Sequence, residues 1–122
     1  MLDKLDHIQI AMPAGKEVEA RRYYGEILGL PEIEKPEALR SRGGCWFELA
    51  NAGLHLGVQE DFLPAKKAYP AFRVSNLAEL AQILQEKDFS ITWDDNLKNE
   101  TRFYSEDIFG NRFEFMQTKD LD

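Results

Sequence analysis

The sequence has one cysteine, no long apolar run and no excess of basic residues, and each shortage excludes a class of protein. Cys45 is alone, which rules out an internal disulfide and favours a reducing, cytoplasmic setting. No apolar segment approaches the ~20 residues that span a bilayer, and the first residues lack the cationic and apolar regions of a signal peptide. The net charge of −7 argues against a nucleic-acid binder, which needs a basic face. We therefore expect no nucleic-acid and no membrane partner.

Short motifs of known chemistry are also missing. No GxGxxG or GxxxxGK[ST] stretch occurs, and Gly43-Gly44 is too short to indicate a phosphate site. Cys45 has no CxxC partner and precedes Trp46 in a predicted strand, so we interpret it as a buried, inert thiol. The sequence therefore favours neither nucleotide binding nor thiol chemistry.

The order of predicted elements repeats along the chain. Its 122 residues predict one domain, 1–122, with enough chain to bury a core. A strand, a helix and three strands are followed by the same order again, which predicts two modules at about 1–60 and 69–117. His7 overlays Tyr69, 62 positions on (69 − 7), and His55 overlays Glu114, 59 positions on (114 − 55). The apolar positions repeat although the residues differ, which favours a duplicated fold.

Apolar periodicity predicts the elements of the first module. Residues Leu5–Met12 alternate as a strand, with one face expected to be buried and made of Ile8, Ile10 and Met12. The period becomes helical from Lys16 to Leu28. The predicted apolar stripe of this helix contains Val18, Ala20 or Arg21, Tyr24, Ile27 and Leu28. After a polar connection over residues 34–44, the segments Cys45–Leu49 and Leu54–Val58 predict a hairpin.

The second module follows the same plan. Residues 70–74 predict a strand, and Ser75 or Asn76 is expected to cap a helix that ends near Lys87. A short strand is predicted at Ser90–Trp93. The chain then closes with a tight turn over Asp107–Asn111, since Gly110 and Asn111 tolerate positive φ.

The last strand, Arg112–Gln117, carries a carboxylate between two phenylalanines. Alternation directs Phe113 and Phe115 to one face and Glu114 to the other, together with Arg112. A glutamate in a strand is also commonly solvent-facing or paired with an arginine, and here Arg102 or Arg112 could be that partner. The alternation alone leaves these interpretations open.

Four polar residues occupy equivalent places in the two predicted modules. His7, His55, Tyr69 and Glu114 lie on first or last strands, each opposite the apolar side chains of its strand. Two imidazoles and a carboxylate match the arrangement that binds Fe, Mn, Co, Ni or Zn with positions left open. Each residue also has an ordinary interpretation, because a strand histidine is commonly a hydrogen-bonded interior residue and a tyrosine before proline commonly packs. The residues by themselves leave both interpretations open.

Several segments of the chain resemble the vicinal oxygen chelate superfamily, which includes glyoxalase I, fosfomycin-modifying enzymes, extradiol dioxygenases and bleomycin-resistance proteins. The resemblance covers roughly Leu5 to Gln117. The segments that carry it are Leu5-Asp-His-Ile-Gln-Ile10, Arg22-Tyr-Tyr-Gly-Glu-Ile-Leu-Gly-Leu30, Pro70-Ala-Phe-Arg-Val74 and Phe103-Tyr-Ser-Glu-Asp-Ile-Phe-Gly-Asn-Arg-Phe-Glu-Phe115. It implies an α+β fold of two βαβββ modules that form a curled mixed sheet around a cleft with the helices outside, in a homodimer.

The resemblance also implies a site. His7, His55 and Glu114 would hold a divalent metal, which is Zn, Ni, Co, Mn or Fe. The residues that match cleft-facing positions, and would line the substrate pocket, are Gln9, Trp46, Arg102 and Tyr104. Glu114 or Tyr104 would move the proton in catalysis. Tyr69 departs from the pattern, since many relatives have a histidine before Pro-Ala-Phe.

Two functions of different kinds follow from the resemblance. The first, which is the leading prediction, is a glyoxalase-type metalloenzyme, in which the metal chelates neighbouring oxygens of a small-molecule substrate and acts as a Lewis acid. Its reaction would be of the lyase or isomerase, thiol transferase or dioxygenase type. The second is a metal-free protein of the bleomycin-resistance type, which sequesters a planar drug or metabolite in an aromatic cleft with Trp46, Trp93 and Tyr104 as stacking surfaces. The Tyr69 departure favours the second function, and the histidine–glutamate set favours the first.

Overall fold

A computed structural model describes residues 1–119 of the chain. The chain divides into two compact units, one from Met1 to Leu63 and the other beginning at Pro64. No helix in residues 1–119 combines the length and the apolar character needed to cross a membrane.

The first unit contains four strands and one interrupted helix. Its elements in chain order are β1 (His7–Met12), α1 (Glu17–Ala20) continuing into a π-helix (Arg21–Ile27), β2 (Glu32–Ile33), a 3-10 helix (Glu37–Arg42), β3 (Cys45–Glu48) and β4 (Gly53–Val58). The strands form one mixed sheet in the order β1-β4-β3-β2, in which only the β1–β4 pair is parallel.

The second unit repeats this order. Its elements are β5 (Ala71–Arg73), α2 (Leu77–Glu86), β6 (Thr92–Asp94), β7 (Glu100–Glu106) and β8 (Arg112–Thr118). The sheet order is β5-β8-β7-β6, and again the first and last strands pair in parallel while the other pairs are antiparallel. The predicted α+β fold of two βαβββ modules is confirmed.

Strand register matches the overlay of the two halves. Gln9 pairs with His55 in the first sheet, and Ala71 pairs with Glu114 in the second. The offsets are 71 − 9 = 62 and 114 − 55 = 59, the same values as those read from the sequence. His55 and Glu114 therefore hold equivalent positions, each on the central strand beside the first strand of its unit.

Alternation predicted the faces of β1 correctly. Ile10 and Met12 are buried, whereas His7 and Gln9 on the opposite face are exposed. A two-residue period places successive side chains on opposite faces of a strand, so the apolar set selects the core face. The polar residues are thereby directed away from the core.

The predicted stripe of the first helix is wrong in part: Ala20 and Tyr24 are buried as predicted, but Val18 is not and Tyr23 was missed. Val18 is 76% exposed, while Tyr23 and Tyr24 are both fully buried. The backbone N–H of Leu28 donates to the carbonyl of Tyr23, five residues back, at 2.9 Å. This wider π-helical turn rotates the buried face away from the 3.6-residue stripe, which is why two neighbouring tyrosines are buried together.

The second helix begins and ends where its caps predict. Asn76 accepts a hydrogen bond from the backbone N–H of Glu79 at 3.1 Å, so it is the N-cap. Leu77, Ala81 and Leu84 form the buried side of α2. Two local predictions were inexact: β6 is shifted to Thr92–Asp94, and the polar connection before β3 contains the 3-10 helix.

Candidate functional site

Three aromatic rings form a column on the face of the first sheet opposite its core. The indole of Trp46 and the imidazole of His55 are parallel within 2°, with ring centroids 3.8 Å apart. The imidazole of His7 stacks at 4.2 Å from that of His55, with an interplanar angle of 20°. Trp46 and His55 are direct partners across β3 and β4, so the strand pairing itself brings their rings together.

Gly53 leaves room for this column. A side chain at Gly53, which pairs with His7 in the sheet, would place a Cβ 3.0 Å from Nε2 of His55 and 3.2 Å from Cβ of His7. Both distances are shorter than ordinary van der Waals contacts. The position of the two imidazoles therefore depends on the absence of a side chain at Gly53.

The two histidines have different surroundings. Nδ1 of His7 lies 2.8 Å from Oδ2 of Asp6, and the His7 side chain is 44% exposed. His55 is 7% exposed, and its burial, followed by the neighbouring charge of His7, lowers the pKa of His55 below its ordinary value. His55 is therefore a neutral imidazole at neutral pH, in the middle of the column.

A cavity of about 650 Å³ opens beside the column within the first unit. His7, Trp46 and His55 line it together with apolar side chains and charged ones, which are Leu5, Ile33, Leu49, Lys4, Asp6 and Glu48. Its volume falls within the ~300–1,000 Å³ typical of small-molecule sites. The first unit therefore presents an aromatic wall to a space that can hold a ligand.

The ring geometry of the first unit does not fit a metal that both histidines hold. An imidazole binds a metal through a lone pair in its ring plane, at about 2.0–2.1 Å. The planes of His7 and His55 are nearly parallel and stacked, so their lone pairs do not converge on one ion. Among residues 1–119, neither unit contains a group of three His, Cys, Asp or Glu side chains placed to hold a metal ion. A shared ion would require one imidazole to leave the column.

Glu114, the predicted carboxylate ligand, lies in the second unit and is 5% exposed. Nη1 of Arg102 lies 3.4 Å from Oε2 of Glu114, and Nη2 of Arg102 lies 3.4 Å from Oδ1 of Asp94. Register places Asp94 opposite Arg102, and Tyr104 opposite Glu114. Of the two arginines considered as partners of Glu114, Arg102 is therefore the one that forms the pair.

Arg112 instead lies against the rings of two tyrosines. Its guanidinium carbon is 4.2 Å from the ring centroid of Tyr104 and 5.0 Å from that of Tyr69. The two tyrosine rings meet edge to face at 5.7 Å. A hydrogen bond between their hydroxyl groups, and then burial, raise the pKa of Tyr104. Tyr69 thus belongs to a cluster with Tyr104 and Arg112, which we call the tyrosine–arginine cluster.

The predicted site residues are divided between the two units. The first unit brings together His7, His55 and Trp46, and the second brings together Glu114, Arg102 and Tyr104. The side chain of Gln9 occupies the space above Gly57, where a Cβ would come within 2.7 Å of Nε2 of Gln9. Each predicted residue therefore lies on the polar face of its own sheet.

The expectation that Trp93 shares a stacking surface with Tyr104 is wrong. Trp93 pairs with Phe103, and its ring packs edge to face against that ring at 5.1 Å. Strand alternation directs Phe103 and Tyr104 to opposite faces of β7, so Trp93 lies on the face away from Tyr104. Trp93 is 50% exposed.

Sequence reasoning missed the partners of the predicted residues. Neither Asp6 nor Asp94 is assigned to a site by the sequence. Arg112 enters there only as a possible partner of Glu114, not as a neighbour of the two tyrosines. Asp6 directly precedes His7, which is a usable signal, because an imidazole commonly donates one N–H to a carboxylate. Asp94 gave no signal, since its position opposite Arg102 depends on a strand that is shifted from its predicted bounds.

The thiol prediction agrees with the structure. Cys45 is buried, and burial raises the pKa of Cys45 to about 11. A thiol with such a pKa is almost wholly protonated at neutral pH and is a poor nucleophile. Cys45 therefore belongs to the core of the first unit.

No protein-family model and no curated protein matches the chain. Solved structures do match it. A glyoxalase family protein from Bacillus anthracis is 46% identical over 98% of this chain and 98% of its own, with a TM-score of 0.93. A glyoxalase/dioxygenase from Nostoc punctiforme is 21% identical over 96% of this chain and 92% of its own, with a TM-score of 0.78. The fosfomycin resistance protein FosX from Listeria monocytogenes is 14% identical over 98% of this chain and 96% of its own, with a TM-score of 0.75.

The first of these matches establishes the family, and the other two agree with it in fold. Its identity extends over nearly the whole of both chains, so both βαβββ units are included in the match. The chain belongs to the glyoxalase, bleomycin resistance protein and dioxygenase superfamily, also called the vicinal oxygen chelate superfamily.

Proposed function

We propose that the protein binds a flat, conjugated small molecule against the His7–His55–Trp46 column. The observation that carries the proposal is the column itself, because three stacked rings line a cavity of ligand size. Flat π-systems stack favourably on aromatic rings, and such pairs contribute about 0.5–1.5 kcal/mol beyond the burial of area. The function is that of a binding protein for a planar drug or metabolite.

The exposure of the rings indicates where such a ligand binds. His55 is covered on both sides by its neighbours, whereas the side chain of His7 is nearly half exposed. Trp46 is partly exposed and lines the same cavity. A flat ligand would therefore extend the column at one of its ends, with the apolar side chains of the cavity wall covering its edges.

Replacing Trp46 with leucine should weaken the binding of a flat neutral probe by about tenfold or more, since the loss of ~1.4 kcal/mol corresponds to that factor. Acridine and quinoline are suitable probes, and the change can be measured by calorimetric titration. Trp93→Leu is the matched control, because Trp93 lies outside the cavity and should leave the affinity within about twofold of the wild type. Equal losses in both variants, or no binding by the wild type, would contradict the proposal.

The glyoxalase-type metalloenzyme is the second candidate. The hydrogen bond from Nδ1 of His7 to Asp6 favours it, since metal-binding imidazoles commonly donate their other N–H to a carboxylate. The lowered pKa of His55 also keeps that imidazole in the neutral form that binds metals. Its predicted ligands are His7, His55 and Glu114, and the metal would act as a Lewis acid toward a substrate with neighbouring oxygens. Glu114 and Tyr104 remain the predicted proton-transfer groups, and Gln9 and Arg102 the predicted substrate contacts.

Metal content separates the two candidates. If the column is a ligand platform, protein purified without an affinity tag should hold well below one equivalent of Zn, Ni, Co, Mn or Fe, even after incubation with each ion. Metal analysis by mass spectrometry provides the measurement. About one equivalent in the wild type that is lost in His55→Ala, but kept in Trp46→Leu, would overturn the binding proposal in favour of the metalloenzyme. Trp46→Leu is the matched control because it disturbs the column without removing a metal donor.

The remaining predictions concern assembly and setting. A homodimer is expected from the family resemblance, and sedimentation equilibrium would test it. A cytoplasmic location is expected from the single cysteine, and fractionation of cells would test it. Neither prediction affects the choice between the two candidate functions.

A further inference from the structure

A second cavity, of about 320 Å³, lies within the second unit. The polar residues that line it include Lys66, Ser90, Thr92, Tyr104, Glu106 and Arg112. Two of these side chains are cationic and one is anionic, in a protein whose net charge is −7. A local excess of positive charge in an acidic protein calls for a physical explanation.

The charges of Lys66 and Glu106 neutralise each other. Nζ of Lys66 lies 2.7 Å from Oε2 of Glu106 and donates a further hydrogen bond to the carbonyl of Gly110 at 2.6 Å. This ion pair leaves Arg112 as the source of the positive excess at the cavity.

Arg112 forms no ion pair with any carboxylate in residues 1–119, in contrast to Arg102, which contacts two. Its guanidinium is held by the rings of Tyr69 and Tyr104, at 5.0 and 4.2 Å. The two rings are perpendicular to each other, so the flat guanidinium can stack on only one of them, and N–H donors at its rim remain available to an acceptor. The tyrosine–arginine cluster therefore orients Arg112 without satisfying its hydrogen-bonding capacity.

The hydroxyl of Tyr104 does not supply a negative charge that would balance the positive charge of Arg112. The hydrogen bond with Tyr69, and then burial, raise the pKa of Tyr104, so its hydroxyl is un-ionised at neutral pH. Ser90 and Thr92 add hydroxyl groups to the same cavity wall. Glu106 lies opposite Arg112 across β7 and β8 and lines the same cavity, but its carboxylate pairs with Lys66. Apart from this ion pair, the cavity lining offers Arg112 neutral hydrogen-bonding groups.

We propose that this cavity binds the oxyanion of a small molecule, a carboxylate or a phosphate group, with Arg112 as its principal partner. The planar guanidinium matches both groups through two parallel N–H···O bonds. The role of Tyr69 is then to hold Arg112 in place together with Tyr104. The inference uses only the second unit and does not depend on the aromatic column of the first.

The test is a titration of the full chain with inorganic phosphate and, separately, with acetate, followed by the ¹H–¹⁵N NMR signals of the backbone amides in every variant and of the arginine side chains in the wild type. We expect one of the two anions to shift the Arg112 Nε–H signal and to bind at least about tenfold more weakly to Arg112→Gln, as expected for the loss of a charge-assisted pair. Arg42→Gln is the matched control, since it removes the same charge at an exposed position of the first unit and should leave binding unchanged.

Arg112→Lys distinguishes the contribution of the planar guanidinium to anion binding from that of its positive charge. It keeps the positive charge and loses the planar fork, so we expect it to bind the anion several-fold more weakly than the wild type. It also keeps the test decisive if Arg112→Gln does not fold. Binding of neither anion to the wild type, equal weakening by Arg42→Gln, or full affinity in Arg112→Lys would each overturn the proposal.

Discussion

Replacing Gly44 with alanine should lower the free energy of unfolding by more than about 4 kcal/mol, in the range that only severe steric or buried-group changes reach. Gly44 has a φ of +81°, and a Cβ on it would lie well under 3.0 Å from the carbonyl oxygen of Leu56. The obstacle is backbone within β4, which pairs with β3 at Cys45, so it cannot move without breaking the sheet. The backbone N–H of Gly44 also donates to Oε2 of Glu17 at 2.9 Å, which holds the chain in this position.

Gly15→Ala is the matched control for this prediction. Gly15 has a similar φ of +76°, but nothing lies within 4 Å of the position that its Cβ would occupy. Gly15→Ala should therefore lower the free energy of unfolding only by the cost of placing a residue with a Cβ in the left-handed conformation, which is about 1–2 kcal/mol. Urea denaturation followed by circular dichroism provides both values. If the two variants differed by less than about 1 kcal/mol, the clash with Leu56 would not be the cause.

Replacing Asn111 with alanine should lower the free energy of unfolding by about 2–4 kcal/mol, because it removes two side-chain hydrogen bonds at once. Oδ1 of Asn111 accepts from the backbone N–H of Ala65 at 3.0 Å, and its Nδ2 donates to Oδ2 of Asp107 at 3.0 Å. Asn111 and Asp107 are both buried. The alanine variant would leave the Asp107 carboxylate and the Ala65 amide without these partners.

Asn99→Ala is the control for Asn111, since Asn99 is exposed in the same unit. A surface substitution of this kind should change the free energy of unfolding by no more than about 0.5 kcal/mol. Thermal and urea unfolding of both variants would test the difference. A loss in Asn111→Ala as small as that in Asn99→Ala would mean that water replaces the lost hydrogen bonds.

The elements of the fold that were predicted correctly depend on short-range patterns. A two-residue period directs Ile10 and Met12 of β1 into the core, and an Asn76 side chain caps α2 at its first turn. Such signals need only neighbouring residues, and they persist in any compact arrangement that buries the apolar face. The duplication followed from the same patterns, since each half repeats them at nearly constant spacing.

The first helix shows where short-range patterns fail. Its stripe was assigned from a period of 3.6 residues, whereas the chain forms a π-helix that buries Tyr23 and Tyr24 side by side. The energy gained by packing two large rings outweighs the weaker geometry of the wider turn. Nothing in the local sequence distinguishes this helix from an ordinary one.

In the candidate site too, short-range patterns predict some features and fail to predict others. Strand alternation placed His7, His55 and Glu114 on the polar faces of their sheets, and the register of both units agrees with that placement. Alternation could not determine what each side chain contacts. The stacking of His55 between His7 and Trp46, and the pairing of Glu114 with Arg102, depend on side-chain positions across strands.

The sequence by itself determined the order of elements, the duplicated register and the faces that carry polar residues, because these follow from local periodicity along the chain. Only the tertiary structure decided which partners those residues have. It directed Arg112 to the tyrosine rings and Arg102 to Glu114, a choice between two chemically identical side chains. That choice depends on how neighbouring strands align, and strand alignment is a long-range property that no single segment encodes.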